Sequence, residues 1–131
     1  MKILVGYDGS NVAKEALMLA LKHARTFAGS EVYVVTSMAG GPEVSRQEFE
    51  RAEGELRYTQ SVFIKDKIPC TTRLLVRGMT PGEDLVHFIE ENGIDEVIIG
   101  VRRRSKVGKL LFGSTAQKVI LDAKCPVVVV K

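Results

Sequence analysis

Short apolar runs alternate along this chain with longer segments in which apolar residues recur at helical spacing. Ile3 to Tyr7 reads as a buried first strand, closed by the turn cluster Asp8-Gly9-Ser10, with Ser10 placed to cap the helix that follows. Val12, Ala16, Leu19, Ala20 and Phe27 mark that helix, and Gly29 stops it. A second strand spans Glu31 to Ser37, then a Met38-Ala39-Gly40-Gly41-Pro42 loop. A charged helix runs from about Glu43 to Lys67 along the apolar line Ala52, Leu56, Thr59 and Phe63, and Pro69 ends it. The third strand covers Thr72 to Val76. Thr80-Pro81-Gly82-Glu83 is a capping box with proline at the first helical position. Leu85, Phe88 and Ile89 face inward on this third helix, which stops at Asn92-Gly93. Glu96 to Gly100 is the fourth strand. Ala116, Val119, Ile120 and Ala123 mark a fourth helix, and Pro126 to Val130 the fifth strand.

Strands that are apolar on consecutive positions are buried on both faces, so this alternation predicts an α/β fold with a parallel, doubly wound sheet. No linker or internal repeat divides the chain, and residues 1–131 are expected to form one domain. Helices on both faces require one reversal of strand order, and at that reversal two loops part to leave a crevice. Order 2-1-3-4-5 opens the crevice after strands one and three; order 3-2-1-4-5 opens it after strands one and four. Arg77-Gly78-Met79 is a tight connection, whereas Val101 to Phe112 is long and basic. Long connections without secondary structure of their own are usually functional, which favours 3-2-1-4-5. Asp8 then faces the segment from Gly100 to Thr115.

Bulk properties narrow the picture further. With 131 residues, 45% hydrophobic and 27% charged, the chain has the composition of an ordinary globular domain. The apolar run at the start is too brief for a signal sequence, and no stretch is long enough to span a bilayer. The expectation is a cytoplasmic protein with no membrane attachment. Cys70 and Cys125 form no C-x-x-C pair and read as small, semi-buried thiols. A net charge of +3 is too mild to call for nucleic acid.

The segment from Gly100 to Thr115 carries the most chemistry. Gly100 ends a strand, where a missing side chain lets backbone approach a ligand. Gly113-Ser114 opens a helix, whose free N–H groups make a natural phosphate seat. Arg102, Arg103, Arg104, Lys106 and Lys109 add positive charge to the same place. Each residue also has a plainer explanation. Ser114 with Gln117 forms a capping box, and Asp8 can cap the turn before the first helix. A G-x4-G-K-[ST] phosphate loop is excluded because position 103 is Arg and position 110 is Leu. No G-x-G-x-x-G follows any strand, and strand three ends without the Asp of a phosphoacceptor. Asp8-Gly9-Ser10-Asn11 does not fit a flavodoxin-like electron carrier.

Over nearly its whole length the sequence resembles the universal stress protein family. Ile3-Leu4-Val5-Gly6-Tyr7-Asp8-Gly9-Ser10 is similar to the family's first strand and acidic turn, Ile94 to Gly100 to its fourth strand, and Lys124 to Val130 to its last. ATP-binding members carry G-x2-G-x9-G-[ST]; Gly100, Gly113 and Ser114 match three of its positions, and Arg103 replaces the second glycine. Arg103 either hinders closure of the loop over phosphates or substitutes a guanidinium for backbone donors.

The resemblance implies ATP as ligand, with Mg²⁺ carried by the phosphates. It places Asp8 near the ribose or the metal, and Ser37 where a backbone faces adenine. Gly100, Arg103, Arg104 and Ser105 would line ribose and phosphates, with Gly113, Ser114 and Thr115 on the phosphate tail. It also implies a homodimer paired through the strand at Pro126 to Val130, a short apolar edge that invites pairing. Hydrolysis needs a group to orient water, and Asp8 is the one evident candidate. The expected role is therefore nucleotide-responsive binding, with slow hydrolysis at most. The alternative is a member that acts only through an unidentified protein partner and holds no ATP.

Overall fold

The computed structural model describes residues 1–40, 44–101 and 113–131. Five strands, β1 (Lys2–Gly6), β2 (Glu31–Ser37), β3 (Cys70–Leu75), β4 (Glu96–Gly100) and β5 (Val127–Val130), alternate with four helices, α1 (Asn11–Thr26), α2 (Arg46–Ile64), α3 (Pro81–Asn92) and α4 (Ser114–Asp122). All strand pairs are parallel, in the order β3-β2-β1-β4-β5. The order expected from loop lengths is thus the order observed.

Alternation along the strands divides the core into two layers. Ile3, Val5, Val32, Val34 and Ile98 face α1 and α2, where they meet Ala16, Leu17, Ala20, Leu56 and Phe63. Leu4, Val35, Val97 and Ile99 face α3 and α4, where they meet Leu85, Phe88, Ile89, Ala116 and Val119. Burial of Cys70 against the first layer pushes its thiol up to about 11. Gly93 ends α3 in the left-handed conformation, at φ 60°, donating its N–H to the Ile89 carbonyl.

Several boundaries and faces differ from the sequence expectation. β3 begins at Cys70 rather than Thr72, and α2 begins at Arg46, because the Ser45 hydroxyl accepts from the Glu48 N–H and sets the start. Phe27 lies beyond the end of α1 and is 52% exposed, since the helix closes before the apolar period reaches it. Ile120, expected to face inward, is exposed. Helix α4 packs chiefly against α3, so only the narrow stripe Ala116 and Val119 is covered. β5 lies at the sheet edge and, among the described residues, pairs with β4 alone.

Candidate functional site

Reversal of strand order between β1 and β4 leaves a cavity of about 280 Å³ beyond their carboxyl ends. Its floor is apolar, made by Gly6, Val35, Leu85 and Ile99. Its rim is polar and comes from the starts of three helices and the end of β2. Asp8, Ser37, Gly100, Gly113, Ser114 and Thr115, separated by up to 107 positions in the chain, all line this one cavity. Arg103, Arg104 and Ser105 lie outside the described residues.

On the β1 side the turn is held by its own groups. Asp8 Oδ1 accepts from the Ser10 N–H at 3.0 Å, and Ser10 Oγ accepts from the Ala13 N–H at 3.2 Å. The capping role considered for Asp8 is therefore present, on a residue that also borders the cavity. Thr36 Oγ1 donates to the Tyr7 carbonyl at 2.8 Å and ties the end of β1 to β2. Burial, then Glu55, Tyr58 and Asp8, push the Tyr7 phenol up, so it stays protonated at neutral pH.

Gly100 has a different reason to be glycine from the one its sequence position implies. A Cβ there would lie 2.0 Å from Val12 Cγ1 and 3.0 Å from the Val12 carbonyl carbon. The missing side chain admits the first turn of α1, and Gly100 also borders the cavity.

Ser114 likewise departs from the expected capping box. Gly113 is the N-cap of α4, Ser114 is the first helical residue, and among the described residues the cap makes no side-chain hydrogen bond to the N-terminal N–H groups. The first intrahelical bond runs from the Gln117 N–H to the Gly113 carbonyl, so the N–H groups of Ser114, Thr115 and Ala116 precede the helical ladder. All three residues line the cavity. Gly113 itself has φ −65°, and a Cβ there meets nothing within 4 Å among the described residues. Space, not backbone conformation, is what this glycine provides.

At the β2 end lies a network that pattern reading missed. Asp84, fully buried in the first turn of α3, accepts from Ser37 Oγ at 2.7 Å and from Arg77 Nε at 2.6 Å. Arg77 Nη1 is held in turn by both carboxylate oxygens of Glu91, at 3.1 and 3.2 Å. In the sequence Asp84 looks like an ordinary first-turn acid; Arg77 just after β3 was the one available hint of a buried partner.

Among the described residues no cluster of three metal-ligating side chains occurs. A metal in this cavity would have to bring most of its ligands with it, as Mg²⁺ on a polyphosphate does, with Asp8 the carboxylate at hand. Neither histidine borders the cavity: His23 pairs with Glu96 at 2.6 Å, and His87 is exposed on α3.

The chain's likeness to known proteins agrees with this architecture. A curated universal stress protein from Thermus aquaticus is 31% identical, with 98% of this chain and 97% of that one aligned. A solved universal stress protein structure from Archaeoglobus fulgidus superposes with a TM-score of 0.90 at 39% identity, covering 100% of this chain and 98% of that one. A second solved structure from that organism, a complex with dAMP, superposes at 0.85 with 35% identity and the same coverage. The sequence profile of the universal stress protein family matches residues 1–131. The chain therefore belongs to the universal stress protein family.

Proposed function

We propose that this protein binds an adenine nucleotide, ATP foremost, in the cavity between β1 and β4. The observation that carries this reading is the start of α4, where three N–H groups and the positive end of the helix dipole stand at the cavity wall without a side-chain cap among the described residues. The apolar floor of Val35, Leu85 and Ile99 suits a flat base, and the polar rim suits ribose and phosphates. The dAMP complex of the Archaeoglobus fulgidus relative supports the same ligand class. Arg103, Arg104 and Ser105 are proposed to add phosphate contacts, and Asp8 to face a phosphate-borne Mg²⁺.

The physiological role is proposed as nucleotide-responsive binding in the cytoplasmic stress response. No helix among the described residues is long and apolar enough to cross a membrane. The protein acts as a homodimer paired through the free edge of β5. Light scattering should then report twice the chain mass, and Val128→Pro should halve it by removing a ladder donor.

Calorimetric titration with ATP, ADP and AMP, with and without Mg²⁺, tests the ligand. Gly113→Val should abolish binding and leave the fold intact, because its side chain enters open space at the phosphate seat. Equal ATP affinity in this variant and the parent would remove the α4 terminus from the site.

A further inference from the structure

A second opening lies on the α1–α2 side of the sheet. Helices α3 and α4 pack closely on each other, whereas α1 and α2 approach each other at few points. Between them is an open groove of about 440 Å³, lined by Tyr7, Lys14, Arg51, Gly54, Glu55 and Tyr58. Tyr7 is 4% exposed, and its hydroxyl makes no hydrogen bond among the described residues. No fully enclosed side-chain oxygen or nitrogen among them lacks a partner, so this hydroxyl keeps a path to solvent. After burial itself, Glu55 and Tyr58 do most to push the phenol up, and both line the groove and not the cavity. The hydroxyl therefore stands on the groove side. Buried phenols ordinarily have a partner, and the groove is where one can come from.

Gly54 points to the same place. It sits in the interior of α2, where glycine weakens a helix relative to alanine. Its φ is not positive, and among the described residues an added Cβ would meet Arg57 Nη2 alone, at 3.6 Å, an ordinary contact. Neither conformation nor packing asks for glycine here; its missing side chain leaves the groove open. The charges are unequal. Glu55 is engaged, with Arg51 Nε at 3.7 Å from its Oε1 and its Oε2 so close to Gly9 that a Cβ there would come within 2.5 Å. Lys14 has no ion pair among the described residues, and its positive charge is left unbalanced in the groove.

We infer that this groove is a second ligand site, separate from the nucleotide cavity, for a small aromatic carboxylate. The carboxylate accepts from the Tyr7 hydroxyl and pairs with Lys14, and the flat body lies over Gly54 against the exposed ring of Tyr58. Tyr7 stays protonated at neutral pH and so remains a donor. An aromatic cation would meet Lys14 and Arg51, and a neutral aromatic would leave the charge of Lys14 unanswered. The site does not rest on the nucleotide reading, since Tyr7 is the one residue that lines both openings.

The probe is 2-naphthoate, a flat fluorescent monoanion, with the neutral 2-naphthamide as its control. Fluorescence titration of the intact protein should show saturable binding of 2-naphthoate with a Kd below about 1 mM. The amide should bind at least about 5-fold more weakly. Gly54→Leu fills the groove and should abolish binding, while Gly54→Ala should weaken it and raise the melting temperature. Tyr7→Phe should weaken binding at least about 5-fold, and Lys14→Met about 3-fold. Gly113→Val, which alters the nucleotide cavity alone, should bind the probe as the parent does. Parental affinity in Gly54→Leu overturns the inference, as does loss of binding in Gly113→Val or no saturable binding by the parent. Should Gly54→Leu fail to fold, Tyr7→Phe and Lys14→Met decide, and parental affinity in both overturns the inference. Each of these outcomes leaves ATP binding, titrated separately, to be judged on its own.

Discussion

Three helices begin around the cavity, and they are finished in two different ways. α1 and α3 are closed by their own side chains: Ser10 Oγ accepts from Ala13, and Thr80 Oγ1 accepts from Glu83 at 3.4 Å. α3 adds proline at its first turn and the acids Glu83 and Asp84 against its dipole. α4 begins beside α3, close enough that a Cβ on Gly82 would lie 2.7 Å from Lys118 Cβ, yet it has glycine at the cap and no first-turn acid. A side-chain cap satisfies N–H groups and offsets the helix end; glycine in its place costs only about a few tenths of a kcal/mol and leaves those N–H groups open to an anion. One wall of the cavity is thus closed by its own side chains, whereas the other begins with a glycine cap.

The largest effect expected on the closed side is at Gly100. Gly100→Ala should destabilise the protein by about 2–3 kcal/mol in denaturant titration, because the methyl meets the Val12 side chain and backbone. A loss under about 0.5 kcal/mol would show that α1 can shift away from β4 and that this wall is not rigid. Thr80→Ala comes next, at about 1 kcal/mol. Nucleotide affinity should be unchanged in it, since Thr80 closes α3 without bordering the cavity. A parallel fall in affinity would erase the distinction between the two walls.

The open wall should respond in the opposite direction. Gly113→Asp supplies the missing cap, and its carboxylate suits the helix dipole. Stability should rise by about 0.5 kcal/mol while ATP affinity drops at least about 10-fold. A variant that gained stability and still bound ATP would place the phosphates elsewhere.

At neutral pH the smallest effect is expected at Tyr7, where the closed wall meets the sheet. Its phenol is raised in the folded state, so its contribution is complete below the unfolded value near 10 and is lost as pH rises through the folded value. Cys70, held at about 11, adds to the same decline from about pH 9 upward. Tyr7→Phe should leave stability at pH 7 little changed and flatten the alkaline fall in melting temperature. An unaltered slope above pH 10 would mean that Tyr7 titrates alike in both states.

Much of the architecture was legible before any coordinates. Consecutive valines and isoleucines in short runs require burial on both faces, and the contrast between Arg77-Gly78-Met79 and the 101–112 connection selected the strand order. From that order Asp8 and Gly113-Ser114 had to meet at one crevice, and they do. The faces of helices were less legible at their ends. Phe27 and Ile120 keep the helical period, but period says nothing about how far a neighbouring element extends to cover it.

What the sequence by itself determined is the set of local rules: strands from β-branched runs, helix starts from Ser10 and Thr80, and the strand reversal from connection lengths. Only the tertiary structure decided why Gly100 lacks a side chain, that Gly113 rather than Ser114 caps α4, and that Asp84 is buried against Ser37 and Arg77. Patterns of period 2 or 3.6 report the environment averaged over one element. The distance of one atom from another 88 residues away, as between Val12 and Gly100, is set by how whole elements pack, and no local spacing encodes it.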